Sequence, residues 1–505
     1  MLGTKSKTSN ARAFFMWCLL ALVVWLIYRP FMQPIFGDRA YLLYMAQEVG
    51  RGKAIYQTTT FGYTPMGPMV QGGFFRLVHW LLPEASTIIL ARLLGLIGYM
   101  ALAGSMFLLG RRWFAQLWQA HLGTALLLGY SFLTVFFTTS LEAKGLAALF
   151  GVWALYAALG RGWFWAGLWS ALALMTWQPM AIVGFALGLV VLAQGRKHWA
   201  ALLPMAAGAV IGLLPAVLYL WSTDSLDAFW AQAMLRKVDL EGEAIFDHPL
   251  RWLVYGIFPR FITDLPIFLC SVLGAMGLLF TWYRRRSITW FGNALGLPVL
   301  LISTACWSLL NAMEFQSGPD LIPMVPLLAI WAVLGLHWLQ NQMLRGKAKR
   351  LVIGLGLLLA FVDVVGYRPQ YTYREQRALL DRLREAYPQA FVINFESYYV
   401  LYEERMPTKF MRYAPYEDYL INQEAGGCDG VLQQLAQAPP AGVVFRQTPN
   451  VDSYAGGCAM QVIGALTEGE PTEVLEIPME KMHHPWLPAR TWTVWLYPTQ
   501  ETTSP

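Results

Sequence analysis

Eleven apolar runs, most of them long enough to cross a bilayer, constrain this chain more than anything else in it. They fall at about 13–31, 84–109, 116–137, 145–160, 163–176, 178–194, 199–221, 262–282, 292–311, 320–339 and 350–366. A spanning helix needs roughly 17–25 predominantly apolar residues. In lipid the backbone must satisfy its own hydrogen bonds, so runs like these can only be helices. The balance of residues agrees: 56% are hydrophobic and 13% charged, against about 25% charged in soluble domains. A soluble enzyme would lack its charged skin, and disorder is excluded by the same figures. The expected fold is a polytopic α-helical membrane protein of about eleven transmembrane helices. The fifth and sixth runs are short and separated only by Thr176-Trp177-Gln178-Pro179. A single re-entrant hairpin there would leave the downstream topology unchanged.

Charge divides the chain in two. Residues 368–505 carry 11 basic and 17 acidic side chains, residues 1–367 carry 26 and 14. A membrane module over 1–367 and a water-facing domain over 368–505 are therefore expected. The basic excess belongs to loops, and no nucleic-acid partner is needed to explain it. Lys5, Lys7 and Arg12, then Arg111-Arg112, Arg161, Arg196-Lys197, Arg284-Arg285-Arg286 and Arg345 to Arg350 occupy every second connection. The positive-inside bias makes the N-terminus cytoplasmic, and an odd number of spans puts the tail outside. The first span ends in Tyr28-Arg29-Pro30 rather than in small residues, unlike a cleaved signal peptide. The tail alternates in the manner of an α/β domain. Helices are expected at 374–387 and 430–436, and strands at 390–395, 441–445, 473–477 and 491–496. Cys18, Cys270 and Cys306 lie in spans, while Cys428 and Cys458 share an Ala-Gly-Gly-Cys setting in the tail. A Cys428–Cys458 disulfide suits an oxidising exterior; two buried thiols are the other reading.

Two outer connections are long, about 32–83 and 222–261, and long loops are uncommon unless they do something. In the first, Leu42, Met45, Ala46 and Val49 recur at helical spacing with Gln47, Glu48 and Arg51 elsewhere on the wheel, as in an amphipathic helix lying on the membrane. It stops at Gly50-Arg51-Gly52, and a second helix after Pro68 runs to Trp80. Asp38 opens the first of these helices, either as a helix cap or as a general base at the membrane surface. Glu142 and Lys144 occupy a very short outer turn. The second long loop holds Asp239, Glu241, Glu243, Asp247 and His248, with Arg251 and Arg260 flanked by aromatic residues. That acidic cluster could hold a divalent metal or form a solvated face. The two arginines suit a lipid phosphate or plain interfacial anchoring. Glu314, Gln316 and Asp320 lie in a further outer turn. Several outer turns thus bring polar groups to one face of the bundle. No zinc spacing, Ser/His/Asp set, P-loop or dinucleotide motif is present.

The order of these motifs resembles the GT-C glycosyltransferases, nearest to the branch of protein O-mannosyltransferases and lipid A aminoarabinose transferases. The resemblance rests on Gly37-Asp38-Arg39-Ala40-Tyr41, then Gly50-x-Gly52-x-x-x-Tyr56, then Tyr63-Thr64-Pro65-Met66-Gly67-Pro68. Glu142 before a span, the break at residues 173–179 and Asp320-Leu321-Ile322-Pro323 continue it. It implies an inverting transfer of a sugar from a polyprenyl-phosphate donor to an acceptor hydroxyl at the outer membrane face. Asp38 would be the base, Glu142 would assist the acceptor, and Lys53, Arg251 and Arg260 would neutralise the phosphate. Arg39, Tyr41, Tyr56, Tyr63, Lys144 and Glu314 join them as candidate substrate-binding residues, and the lipid would lie in a groove of the bundle. Two departures stand out. Tyr63-Thr64 replaces the acidic-Lys pair of the aminoarabinose branch, and Glu314 and Gln316 stand where many relatives have Arg and His. The acceptor can be a glycan, a lipid or a protein, and a bacterial inner membrane is the expected location. A transporter or flippase for a lipid-linked glycan would place charges along a path inside several spans. A non-catalytic envelope assembly protein would tolerate loss of Asp38.

Overall fold

In the computed structural model, residues 2–33, 38–58, 62–83, 86–235, 264–285, 291–314 and 318–342 are described, with four short strands and isolated positions beyond them. For some of these, including Asp38, Arg39 and Glu314, only the backbone path is described. The expected helix 374–387, both long-loop arginines, the acidic cluster, Cys428 and Cys458 lie outside the described residues.

The helices in chain order are α1 (Leu2–Ile27), α2 (Asp38–Gly50), α3 (Ile55–Thr58), α4 (Met66–Leu81), α5 (Thr87–Trp113), α6 (Leu117–Gly129), α7 (Ser131–Thr139) and α8 (Ala143–Leu159). They continue with α9 (Trp163–Leu174), α10 (Ala181–Ala193), α11 (Leu202–Ser222), α12 (Leu226–Phe229), α13 (Leu265–Arg285), α14 (Gly296–Glu314) and α15 (Val325–Gln342). Among the described residues, four stretches are long and apolar enough to cross a membrane: Asn10–Ile27, Thr87–Trp113, Arg196–Ser222 and Asp320–Asn341. Helices α6 and α7 make a fifth if taken as one span bent by 65°, and five further apolar helices are shorter. Their surface is inverted relative to a soluble protein. Phe15, Leu203, Val210, Trp221, Met276 and Leu279 are all more than half exposed, an apolar exterior spread over several helices that suits lipid rather than water. The chain is a polytopic helical membrane protein.

Without a hydrophobic drive between helices in lipid, packing relies on small residues that let backbones approach. Two crossings show this. A Cβ on Gly208 of α11 would lie 1.8 Å from the Phe164 carbonyl oxygen of α9, and one on Gly167 the same distance from that of Met205. Helices α13 and α15 meet likewise, with Gly274 and Gly335 against the carbonyls of Trp331 and Cys270, each at 2.0 Å. Elsewhere the ties are polar: Trp25 of α1 donates its indole N–H to the Phe137 carbonyl at 2.9 Å.

The bend at Tyr130 frees the amides at the start of α7, and a residue from far along the chain fills the gap. Asp264, 3% exposed, accepts from the Ser131 backbone N–H and from the Ser131 hydroxyl, both at 3.0 Å. The fifth and sixth apolar runs form separate helices with a break at residues 175–180. The 12 residues of α9 rise only about 18 Å, well short of the roughly 30 Å hydrocarbon core. In the tail, Val392–Asn394 pairs in parallel with Gly442–Val444, and Glu473–Met479 pairs antiparallel with Arg490–Leu496. All four fall on strands expected from the sequence.

The glycine crossings are directly testable. Gly208→Leu drives a side chain into the α9 backbone and should cost about 3 kcal/mol, the upper end for overpacking. Gly188→Ala, with open space around its Cβ, should be neutral or mildly stabilising. Thermal melting of the two variants in detergent separates them.

Candidate functional site at the loop end of the bundle

The first loop folds onto the break between α9 and α10. Thr64 donates its hydroxyl to the Leu174 carbonyl at 3.2 Å, and the Met66 amide donates to the Met175 carbonyl at 2.9 Å. These carbonyls belong to the last turn of α9, which has no further helix to satisfy them. Gly67 then rests on Ala143 at the start of α8, a Cβ there lying 3.3 Å from that of Ala143. So the 63–68 motif, the 142–144 turn and the 173–179 break, far apart in sequence, meet at one end of the bundle.

Glu142 precedes α8 with an extended backbone, and its carbonyl accepts from the Leu146 amide at 2.9 Å. The residue is 3% exposed, which carboxylate residues seldom are unless bonded or functional. Two residues on, the Lys144 ammonium lies 2.7 Å from the Asp320 carboxylate, both side chains 12% exposed. It also faces the Trp177 ring at 5.3 Å, and Trp177 stacks on Trp307. The Lys144–Asp320 pair ties α8 to the turn Gly318–Met324 that feeds α15.

A second layer covers this one. Gln178 donates its side-chain amide to the carbonyls of Gly62 at 3.0 Å and Ala233 at 3.3 Å. Gln232 donates to the Tyr56 carbonyl at 2.9 Å. The Tyr56 hydroxyl, wholly buried, donates to the Tyr63 carbonyl at 2.5 Å. Burial, and then the neighbouring phenols Tyr219 and Tyr41, push the Tyr56 phenol well above its ordinary range. Tyr41, a buried residue of α2, belongs to the same apolar cluster as Tyr56, Met66 and Ala143.

Helix α2 begins at Asp38, which places that residue in the first turn, where a carboxylate is favoured by the helix dipole. The rest of α2 departs from expectation. Gln47 and Glu48, assigned to the polar side of a surface helix, are 6% and 1% exposed. The close crossing with α4 is on the apolar side, where a Cβ on Gly72 would lie 2.5 Å from the Ala46 carbonyl and 2.8 Å from the Val49 side chain, whereas Arg51 and Lys53 fold back over Glu48. Lys53, a candidate for phosphate, pairs with Glu48. Arg251 and Arg260 lie outside the described residues.

Three contributors went unnoticed in the sequence. Asp264 orients α7 as described above. Arg92, fully buried in α5, donates to the Gln33 carbonyl, and the Gln33 side-chain amide donates to the Tyr28 carbonyl at 2.7 Å. This strap fixes the turn just before the chain leads to Asp38. Arg92 did carry a signal, since an ionisable residue inside a span is a functional hint by default. Gln33 and Asp264 stand in no recognisable motif.

No family model matches the chain, and no curated protein matches its sequence. Among solved structures, the crystal structure of ArnT from Cupriavidus metallidurans bound to undecaprenyl phosphate is similar. It shares 13% sequence identity and a TM-score of 0.54, over 95% of this chain and 97% of that one. At that identity the likeness carries the fold, and it runs through nearly the whole length. The chain has an ArnT-like, GT-C-like membrane fold, as the order of its motifs implied.

Two outcomes follow from the geometry. Asp320→Ala leaves Lys144 largely buried without its carboxylate and should cost about 3 kcal/mol. Reversing the pair with Lys144→Asp and Asp320→Lys should recover most of it, since an acid in the first turn of α8 also suits the dipole. Thermal melting checks both. Because the Tyr56 phenol ionises only above its ordinary value of about 10, the unfolded chain loses that proton first and stability falls as pH rises past 10. Tyr56→Phe should make this alkaline decline shallower, read by melting between pH 8 and 11.

Proposed function

We propose that this protein is an integral-membrane glycosyltransferase that moves a sugar from a polyprenyl-phosphate donor to an acceptor hydroxyl. The observation that carries the proposal is the fold likeness, along nearly the full chain, to an ArnT captured with undecaprenyl phosphate. The convergence of the 63–68, 142–144, 173–179 and 320 segments at one end supports it. In this proposal that end is the outer membrane face, the N-terminus is cytoplasmic and the membrane is a bacterial inner membrane.

Asp38 takes the proton from the acceptor hydroxyl as its oxygen attacks the anomeric carbon, and the polyprenyl phosphate leaves from the opposite side with the bonding pair. One inversion results. A carboxylate in this role has to be held at the edge of lipid, where partial burial raises its basicity. The Arg92–Gln33–Tyr28 strap gives the approach to Asp38 a fixed starting point. Glu142, buried beside the 63–68 motif, orients the acceptor. Arg39, Arg251, Arg260 and Glu314 remain candidates for donor contacts.

The test is sugar transfer from a radiolabelled polyprenyl-phosphate donor pool in membranes holding equal amounts of folded wild type or Asp38→Asn. General-base loss predicts a fall of about 10²–10⁴-fold. Equal transfer by the two proteins would overturn Asp38 as the base, and no transfer by wild type with any acceptor would count against the enzyme class.

A further inference from the structure

The end of α2 carries a feature that the proposed chemistry does not use. Its last turn closes in a Schellman arrangement: the Gly52 amide donates to the Val49 carbonyl and the Lys53 amide to the Glu48 carbonyl, both at 2.9 Å. Gly52 has φ +83°, the left-handed conformation this motif demands and glycine supplies without strain. The turn folds the two cations on either side of Gly52 back onto one acid. Arg51 reaches the Glu48 carboxylate at 2.8 Å, and Lys53 pairs with its other oxygen.

The inventory of charge is uneven. Glu48 is buried, with its side chain 2% exposed, whereas Arg51 and Lys53 keep 44% and 31% of theirs exposed. One buried anion therefore holds two cations that still present N–H donors outward, a net charge of one positive unit. The Lys144–Asp320 pair, by contrast, is neutral and enclosed. Asp224 lies beyond Gln57, whose side-chain amide donates to the Asp224 carbonyl at 2.6 Å, and among the described residues it forms no ion pair with Arg51 or Lys53.

Lys53 is also fixed through its backbone, because its carbonyl accepts from the Tyr219 hydroxyl at 3.2 Å. Tyr219 lies in the last turn of α11, and the segment that follows exposes Trp221, Leu226 and Trp230 by 76%, 50% and 55%. Exposed tryptophans at a helix end mark the membrane–water interface. The two cations therefore lie at headgroup depth, where the anion at hand is a lipid-borne phosphate. An arginine fork and a lysine together match several phosphate oxygens.

We infer that Arg51 and Lys53, clamped by Glu48, form a binding site for the phosphate of a lipid at the membrane surface. The inference deepens the proposed function and rests on its lipid-borne phosphate; it adds Arg51 as a contact and Glu48 as the positioning residue. The phosphate can belong to the polyprenyl carrier or to a surrounding phospholipid.

Binding of undecaprenyl phosphate and, separately, of phosphatidylglycerol to the full-length protein in detergent distinguishes these sources without any acceptor. Arg51→Gln and Lys53→Gln should each weaken binding about tenfold, as expected for loss of one charged hydrogen bond, while Lys53→Arg stays within about threefold of wild type. An effect on undecaprenyl phosphate alone assigns the site to the carrier. An effect on phosphatidylglycerol alone assigns it to phospholipid, an equal effect on both shows a site that takes either phosphate, and each of these results supports the site. Unchanged binding of both lipids by both glutamine variants overturns it. Should Lys53→Gln fail to fold, Arg51→Gln carries the test, its side chain being the more exposed. Wild-type binding without transfer would sink the transferase proposal alone, and wild type that binds neither lipid would sink both.

Discussion

Helix ends inside or beside a membrane leave carbonyls and amides that water cannot satisfy, and the organisation of this protein follows from how it meets that demand. The C-terminal turn of α9 is satisfied by the first loop, through Thr64 on Leu174 and Met66 on Met175. The N-terminal turn of α7 is satisfied by Asp264. Each repair joins segments more than a hundred residues apart. Once the first loop is bound to the α9–α10 break, Gly67 must seat on Ala143, and Glu142 and Lys144 are drawn beside it. The candidate site is thus assembled by the same bonds that make the broken helices tolerable in lipid.

Buried charge at this end is handled in two ways. Lys144 and Asp320 neutralise each other in near-complete enclosure, which ties α8 to the turn that feeds α15 but offers little to a ligand. Glu48 holds two cations at the rim, where they remain solvent-facing. Removing a partner from an enclosed pair is expensive, whereas exposed pairs contribute little to stability. The first arrangement suits a structural tie, and the second suits a surface that exchanges its partners.

Much of the fold was legible. The apolar runs located the described membrane helices, since length and hydropathy suffice when the solvent is lipid. The short break at Thr176-Trp177-Gln178-Pro179 showed itself because proline and polar residues interrupt an apolar run. The tail strands followed from β-branched alternation. What misled was the wheel of α2. Gln47 and Glu48 look like a wet face, yet both are buried, while the close crossing of α4 at Gly50 and Gly72 falls on the apolar side with Ala46 and Val49. Periodicity reports which residues differ in polarity, not which neighbour will arrive. The pairings Lys144–Asp320 and Ser131–Asp264 were hidden for a related reason: their members are 176 and 133 residues apart, and no local pattern encodes a partner at that distance.

The capping of α7 by Asp264 has a mechanical side. Ser131 begins a helix of nine residues that ends three residues before Glu142, and Asp264 is where the chain enters α13 after its second long loop. Any shift of that entry point must either carry α7 with it or break two buried hydrogen bonds. Loss of the Asp264 carboxylate therefore frees the first turn of the helix whose last residue lies three positions before Glu142, so a residue more than a hundred positions downstream helps to set where that turn falls.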